Sequence, residues 1–331
     1  MQPEIQQATA SQQFWAEVLM FRYIQRRLII MIPVLWGVAT LVFFFMYMLP
    51  GDPASVILAQ SGGKAASIQK LREQLGLDDP LPVQYMRFLT NAVQGDFGDS
   101  IFLHRPVIEV LLDNLPASVE LAVAGVAVAL TIGFSAGILA ALNHNSWIDR
   151  ACMLLAIAGV SMPNFWLALL LMYAISGISM RYGITLLPIT GQGDIRHLIL
   201  PATVLGFAVS GSLARLVRSS MLEVMRQEYI TTARAKGLGQ RLVVIRHALR
   251  NALIPVVTVL GLQFGALLGG TVIIETVFSR RGLGRTIVDA IVWKDLPIVQ
   301  GAVLLTAATY MLVNLMVDIS YAVIDPRIRY E

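Results

Sequence analysis

Cysteine and charge are what this sequence has least of. Its 331 residues include one cysteine, Cys152, at the start of a hydrophobic run. A single thiol closes no internal disulfide, so no oxidised framework holds the fold and Cys152 is expected to pack. Asp, Glu, Lys and Arg together supply 14% of the residues, against about 25% in ordinary soluble domains, while hydrophobic residues reach 56%. That balance points to a polytopic membrane protein. The net charge of +4 is mild, and in so apolar a chain it fits anchoring at a membrane face rather than binding of nucleic acid.

Several chemical signatures are also missing. There is no G-x-x-x-x-G-K-[ST] phosphate loop, so this chain is not expected to hydrolyse ATP. H-E-x-x-H is absent, and His104, His144, His197 and His247 are scattered without metal-ligand spacing, so no metal and no cofactor is expected on this chain. Gly159-Val160-Ser161 has the look of a nucleophile context but no histidine in a neighbouring span to serve as base. Ser161-Met162-Pro163-Asn164 reads instead as a helix break lining a cavity, with Asn164 as a pathway candidate. No repeat of about 20–50 residues and no inverted halves are evident, which weighs against an ion-coupled secondary transporter.

Long hydrophobic runs are what the sequence does contain. Six approach the ~20 apolar residues that a spanning helix needs: Leu28–Leu49, Ala117–Leu142, a stretch within Ala151–Met180, one from Leu198 to about Arg215–Arg218, Pro255–Phe278 and Pro297–Val323. The expected fold class is an all-α polytopic membrane protein with about six transmembrane helices. Leu28–Leu49 is longer than the ~7–15-residue core of a signal peptide and lacks a small-x-small site, so it reads as an uncleaved span. With the N-terminus inside, fourteen Lys and Arg fall in cytoplasmic segments and six in the two short outer loops, which favours N-in and C-in. The long segment after the first span then lies outside. It is rich in acids, and a helix over Ser67–Leu75 capped by Gly76, a helix over Val83–Val93 and a turn at Gly95–Gly98 are expected there.

Inside the spans, Gly261, Gly265 and Gly269 recur every four residues and form one groove, with Gln263 as a polar neighbour. These four are candidates for a solute path or for close helix packing. Gly133 and Gly137 repeat the spacing, with packing as the reading there. Asp318 is read as the one carboxylate well inside a span, four residues from Asn314, and an ionisable group at such depth is a candidate by default.

The longest polar interruption of the second half is EYITTARAKGLGQRLVVIRHALRNALIP, residues 228–255, with Arg234, Lys236, Arg241, Arg246 and Arg250 against the single acid Glu228. Gln227–Ala235 is expected to form a short helix stopped by a left-handed Gly237, and Arg241–Ile254 a second. Leu242, Ile245, Leu249 and Leu253 would make the apolar stripe of the second, and Ala233 and Gly237 a small-residue face of the first. A basic loop of this shape between spans is either a topogenic loop, part of a non-transporting scaffold, or a docking element for a cytoplasmic partner.

TARAKGLGQRLVVIRHALRNALIP resembles the EAA loop of permease subunits of ABC importers, closest to the dipeptide, oligopeptide, nickel and glutathione branch. The likeness extends over nearly the whole chain: RRLIIMIPVLWGV, LPGDPA, QLGLDDPLPVQY, VQGDFGDS, SMPNFW, ARLVRSSMLEVMRQEYI, GLQFGALLGGTVIIETVF, GLGRTIVDAI and DPRIRY stand in order. The resemblance implies a type I ABC importer permease fold in the bacterial plasma membrane. Its segments are a cytoplasmic N-terminus (1–27), a first span (28–50), an external helical loop (51–115), a five-helix transmembrane domain (116–320, with its coupling loop at 223–254) and a cytoplasmic C-terminus (321–331). It also implies partners: a second permease subunit, two ATP-binding subunits that carry ATP and Mg, an external substrate-binding protein and membrane lipid. The coupling residues are then Tyr229, Thr231, Thr232, Ala233, Arg234, Ala235, Lys236, Gly237 and Leu238, and the implied solute is a dipeptide or oligopeptide. Two positions depart from the family pattern. Thr231 stands where Glu is usual, and no proline precedes Gly282, so a looser outer turn is expected at Ser279–Arg285.

Overall fold

The computed structural model describes the backbone of residues 2–48 and 78–324. The helix expected over Ser67–Leu75, its Gly76 cap, and the LPGDPA and DPRIRY motifs therefore lie wholly or largely outside the described residues. The elements are α1 (Gln2–Met48), α2 (Leu81–Gln94), α3 (Val107–Leu142), α4 (Trp147–Ser161), α5 (Asn164–Tyr182), α6 (Arg196–Val224) and α7 (Glu228–Ala235). Then come α8 (Gln240–Leu242), a π-helical stretch (Val243–Leu249), α9 (Arg250–Ala252), α10 (Ile254–Val277), α11 (Leu283–Trp293) and α12 (Leu296–Ile324). Among the described residues there is no strand, only one isolated bridge between Asp99 and Pro106. Stretches of α1, α3, α5, α6 and α12 are long and apolar enough to cross a membrane, and α10, at 24 residues, rises about 36 Å.

Two of the expected runs come out differently. The third is two helices: α4 ends at Ser161, Met162 turns extended at φ −83° and ψ 126°, and Pro163 precedes α5. Proline disfavours the α conformation of the residue before it and donates no hydrogen bond; α3 and α6 carry Pro116 and Pro201 inside them, whereas at Pro163 the helix breaks. At 15 residues α4 reaches only about 22 Å, leaving α5 as the segment of spanning length. The fourth run does not stop near Arg215–Arg218; α6 continues to Val224.

The chain forms two compact units, one of Ser118–Arg280 with Met1–Ile24 and Leu312–Glu331, the other of Gln25–Ala117 with Arg281–Met311. In the first, α6 is the central helix: 61% of its most apolar window is buried, against 6% for α5. Small residues bring its neighbours close. A Cβ on Gly206 would stand 2.5 Å from the carbonyl oxygen of Gly125 on α3, and one on Gly211 2.1 Å from that of Ala156 on α4. Gly133 and Gly137 of α3 face Leu213 and Val217 in the same way, so packing is their role.

Arg218 explains why α6 runs on. Its Nε donates to Asp149 Oδ1 at 2.6 Å and its Nη2 to Oδ2 at 2.7 Å, a two-pronged fork between α6 and the first turn of α4. The backbone N–H of Asn145 adds a third bond to Asp149 Oδ2 at 3.0 Å, and Arg218 Nη2 lies 3.2 Å from His144 Nδ1. Ser146 caps α4 by accepting from the Asp149 N–H. The bonded guanidinium holds the Asp149 carboxyl well below the ordinary carboxylate range; burial opposes this and the Asn145 N–H assists it.

The second unit is built on Val107, Val110, Leu111, Leu283, Ala290, Ile298 and Ala302. Buried Asp295 precedes α12, accepting from Ser100 Oγ at 2.5 Å and the Phe102 N–H at 3.1 Å, while Phe102 stacks on Trp293 at 4.3 Å. The expected outer helix is α2, stopped by Gly95 at φ 75°, with Gly98 at φ 73° in the turn that follows.

Replacing Asp149 by Asn removes the charge that Arg218 faces and should cost about 2–3 kcal/mol of stability. Because the folded Asp149 carboxyl is depressed, its contribution is fully present above the unfolded value near ~4 and is lost as pH falls through the lower folded value. In detergent, the melting difference between wild type and Asp149→Asn should stay constant from pH 8 to 5 and narrow below about pH 4. Equal melting at pH 7 would show that the fork contributes nothing.

Candidate functional site

The polar loop between α6 and α10 folds as a compact piece of the first unit. Glu228, in the first turn of α7, favours the helix dipole, and Thr232 Oγ1 bonds back to the Glu228 carbonyl at 3.1 Å. The helix ends in a Schellman arrangement: the Gly237 N–H reaches the Arg234 carbonyl at 2.9 Å and the Leu238 N–H that of Ala233 at 3.3 Å. Gly237 adopts φ 79°, where its missing Cβ matters, and nothing lies within 4 Å of where a Cβ would be.

Ile230 and Ala233 are the buried residues of α7, packed with Val217, Met221, Val243, Val244, Ala248, Ala252 and Val256. Ala233, at 7% exposed, therefore faces inward, away from the small-residue surface the sequence suggested; Thr231, Thr232, Arg234, Ala235, Lys236 and Gly237 are exposed. Tyr229 is tied down from outside the helix, accepting a 2.7 Å bond from Asn251 Nδ2, and Leu238 is half-buried against the cluster.

The apolar stripe of the following segment also differs from expectation. Leu242 and Ile245 are exposed, Leu249 and Leu253 partly buried, and the inward positions are Val243, Val244, Ala248 and Ala252. The π winding of Val243–Leu249 rotates the register relative to an α-helix, and the small Ala248 and Ala252 allow close approach to the cluster shared with α6. All five basic side chains, Arg234, Lys236, Arg241, Arg246 and Arg250, are exposed. The loop thus offers a rigid, cationic surface held from behind by an apolar core.

The pathway candidates are spread over three helices. Asn164 opens α5, Gln263 lies within α10 and Asp318 lies on α12, all half-buried. Gly269 is exposed with nothing within 4 Å, so it is not a packing glycine here; the surroundings of Gly261 and Gly265 fall outside the described residues.

Asp318 is not the only carboxylate to weigh in the spans. Glu275, near the end of α10, is fully buried and accepts from Ser118 Oγ at 2.5 Å. Five residues on, buried Arg280 forms an ion pair with Glu120 of α3. The start of the Ser279–Arg285 turn is accordingly pinned rather than loose. The Arg280 N–H bonds the Glu275 carbonyl at 2.8 Å, and the Gly191 N–H bonds that of Phe278 at 2.8 Å. The signal available in the sequence was an acid and a base bracketing the end of an otherwise uncharged run.

Residues 133–330 match the family described as binding-protein-dependent transport system inner membrane component, and residues 20–122 match its N-terminal companion. The glutathione transport system permease protein GsiC of Escherichia coli K12 is 44% identical over 312 residues, which are 94% of this chain and 100% of that protein. The GsiC of Salmonella paratyphi A is 45% identical over the same span. Among solved structures, the inward-facing MetNI methionine ABC transporter aligns with a TM-score of 0.53 at 18% identity, covering 65% of this chain and 96% of that one. That likeness is one of fold. With the matched regions covering most of the chain and the helical fold in agreement, the protein belongs to the inner-membrane permease family of binding-protein-dependent ABC importers.

Proposed function

We propose that this permease imports small peptides, with glutathione and dipeptides as the first solutes to test, and that α7 couples it to ATP-binding subunits which hydrolyse ATP with Mg. One observation carries the coupling part. The helix is braced from behind by Ile230 and Ala233, while Thr231, Thr232, Ala235 and Lys236 face outward, so a push on it is transmitted to α6 and α10 rather than absorbed. Thr231, which replaces the usual glutamate, leaves Arg234 and Lys236 to supply the polar contacts. The peptide class is supported by full-length likeness to glutathione permeases. A second permease subunit, two ATP-binding subunits and an external substrate-binding protein complete the assembly, with both chain ends in the cytoplasm.

The complex reconstituted in liposomes with its binding protein should take up labelled glutathione, and unlabelled dipeptides should compete. Gly237→Arg places a bulky side chain on the exposed surface at φ 79°; it should lower uptake and stimulated ATPase at least about tenfold, equivalent to ~1.4 kcal/mol. Gly237→Asn, which tolerates the left-handed conformation, should retain most of both. Normal coupling in Gly237→Arg would rule out α7 as the contact. Uptake of neither solute by a wild-type complex whose ATPase responds to its binding protein would rule out the peptide class.

Orientation is tested separately. In a Cys152→Ser background, a cysteine at Thr90 should react with an impermeant maleimide from outside the cell, and one at Arg241 only after the membrane is opened. The reverse pattern would invert the topology and remove the docking surface from the cytoplasm.

A further inference from the structure

The helix α2 is bound along one side to the outer turns of the first span. Thr40 Oγ1 and the Tyr85 hydroxyl share a 2.6 Å hydrogen bond, and Tyr47 donates to Gln84 Oε1 at 2.5 Å. Phe43 lies 5.2 Å from the ring of Tyr85 and 5.6 Å from that of Phe88. Thr40 and Phe43 fall inside the apolar window Ile24–Phe45, and Tyr47 just beyond it. The attachment therefore sits where the hydrocarbon ends, and Tyr47 and Tyr85, each with an apolar ring and a polar tip, suit that level.

The sides of α2 that α1 does not cover differ from each other. Pro82, Met86, Leu89 and Val93 follow at helical spacing down one flank, with Met86 59% and Val93 89% exposed. Val83, Arg87, Thr90 and Gln94 follow down the other, which is polar beyond the 47% exposed Val83, with Arg87 paired to Asp79 at 2.5 Å. A helix in water has no reason to segregate its free surface in this way. One lying at a bilayer surface does, because one flank meets acyl chains and the other water. The last turns of the span to which α2 is bound also expose apolar side chains, Leu41 at 72% and Phe45 at 62%.

We propose that α2 is an interfacial helix whose Met86–Val93 flank is seated in the outer leaflet and covered by phospholipid. It fixes the middle of the external segment at the membrane surface and so sets the height from which the rest of that segment is presented. The inference rests on the membrane placement of the first span and on the orientation proposed above. Its failure would leave the permease assignment and the role of α7 untouched.

The test uses nitroxide spin labels at single cysteines in the Cys152→Ser chain, assembled with its partner subunits in phosphatidylethanolamine–phosphatidylglycerol liposomes. Labels at Met86 and Val93 should show an oxygen-to-nickel-chelate accessibility ratio several-fold higher than labels at Thr90 and Gln94. Equal ratios at all four positions would place the flank in water and overturn the proposal. Met86 and Val93 shielded from both oxygen and the chelate would overturn it too, by showing that a protein surface, such as the binding protein or the second permease, covers the flank instead.

Discussion

The distance between α6 and its neighbours is the constraint on which the first unit depends. Inside a membrane apolar surface gains nothing by leaving lipid, so helices stay together through dispersion and a few polar bonds, both of which demand contact. Gly206 and Gly211 supply that contact by removing the side chain where a carbonyl of the next helix passes, and Gly125 by making room for the Leu205 side chain. Dispersion falls away steeply with separation, so a gap of even half an ångström along α6 would forfeit much of what holds it to α3 and α4.

The polar pairs of this unit act on that packed frame. Arg218 with Asp149 joins α6 to α4, and Arg280 with Glu120, beside Glu275 with Ser118, joins the end of α10 to α3. Each carries a charge that would be costly alone in an apolar setting and is met by a partner on a different helix. Such pairs have one good geometry and many poor ones, so they fix register where apolar packing tolerates sliding. Against this fixed body, the loop bearing α7 is seated on the same core as α6, through Val217 and Met221.

Local chemistry made much of this visible in the sequence, and distance hid the rest. Run length announced the spans, Pro163 the break before α5, and Gly237 the end of α7, because each acts on its own few residues. The same holds for Gly95 and Gly98 after α2. The length of α6 was not visible, because Arg218 resembles a stop unless Asp149, 69 positions earlier, is known to meet it. Glu120 and Arg280 are 160 positions apart, one at a span end and the other in an outer loop, and nothing local to either announces the other. The inward face of Val243–Ala252 was misassigned because its winding departs from the α period that the stripe of leucines assumed. The pathway candidates Asn164, Gln263 and Asp318 belong to three separate helices, and no local pattern in the sequence links them.

The order in which the ribosome delivers the Arg218–Asp149 fork has its own consequence. Asp149 is made first, and its only bidentate partner follows 69 residues later. At ~5–20 residues per second the wait is on the order of 3–14 s. The fork that joins α4 to α6 therefore cannot close until α6 has been made.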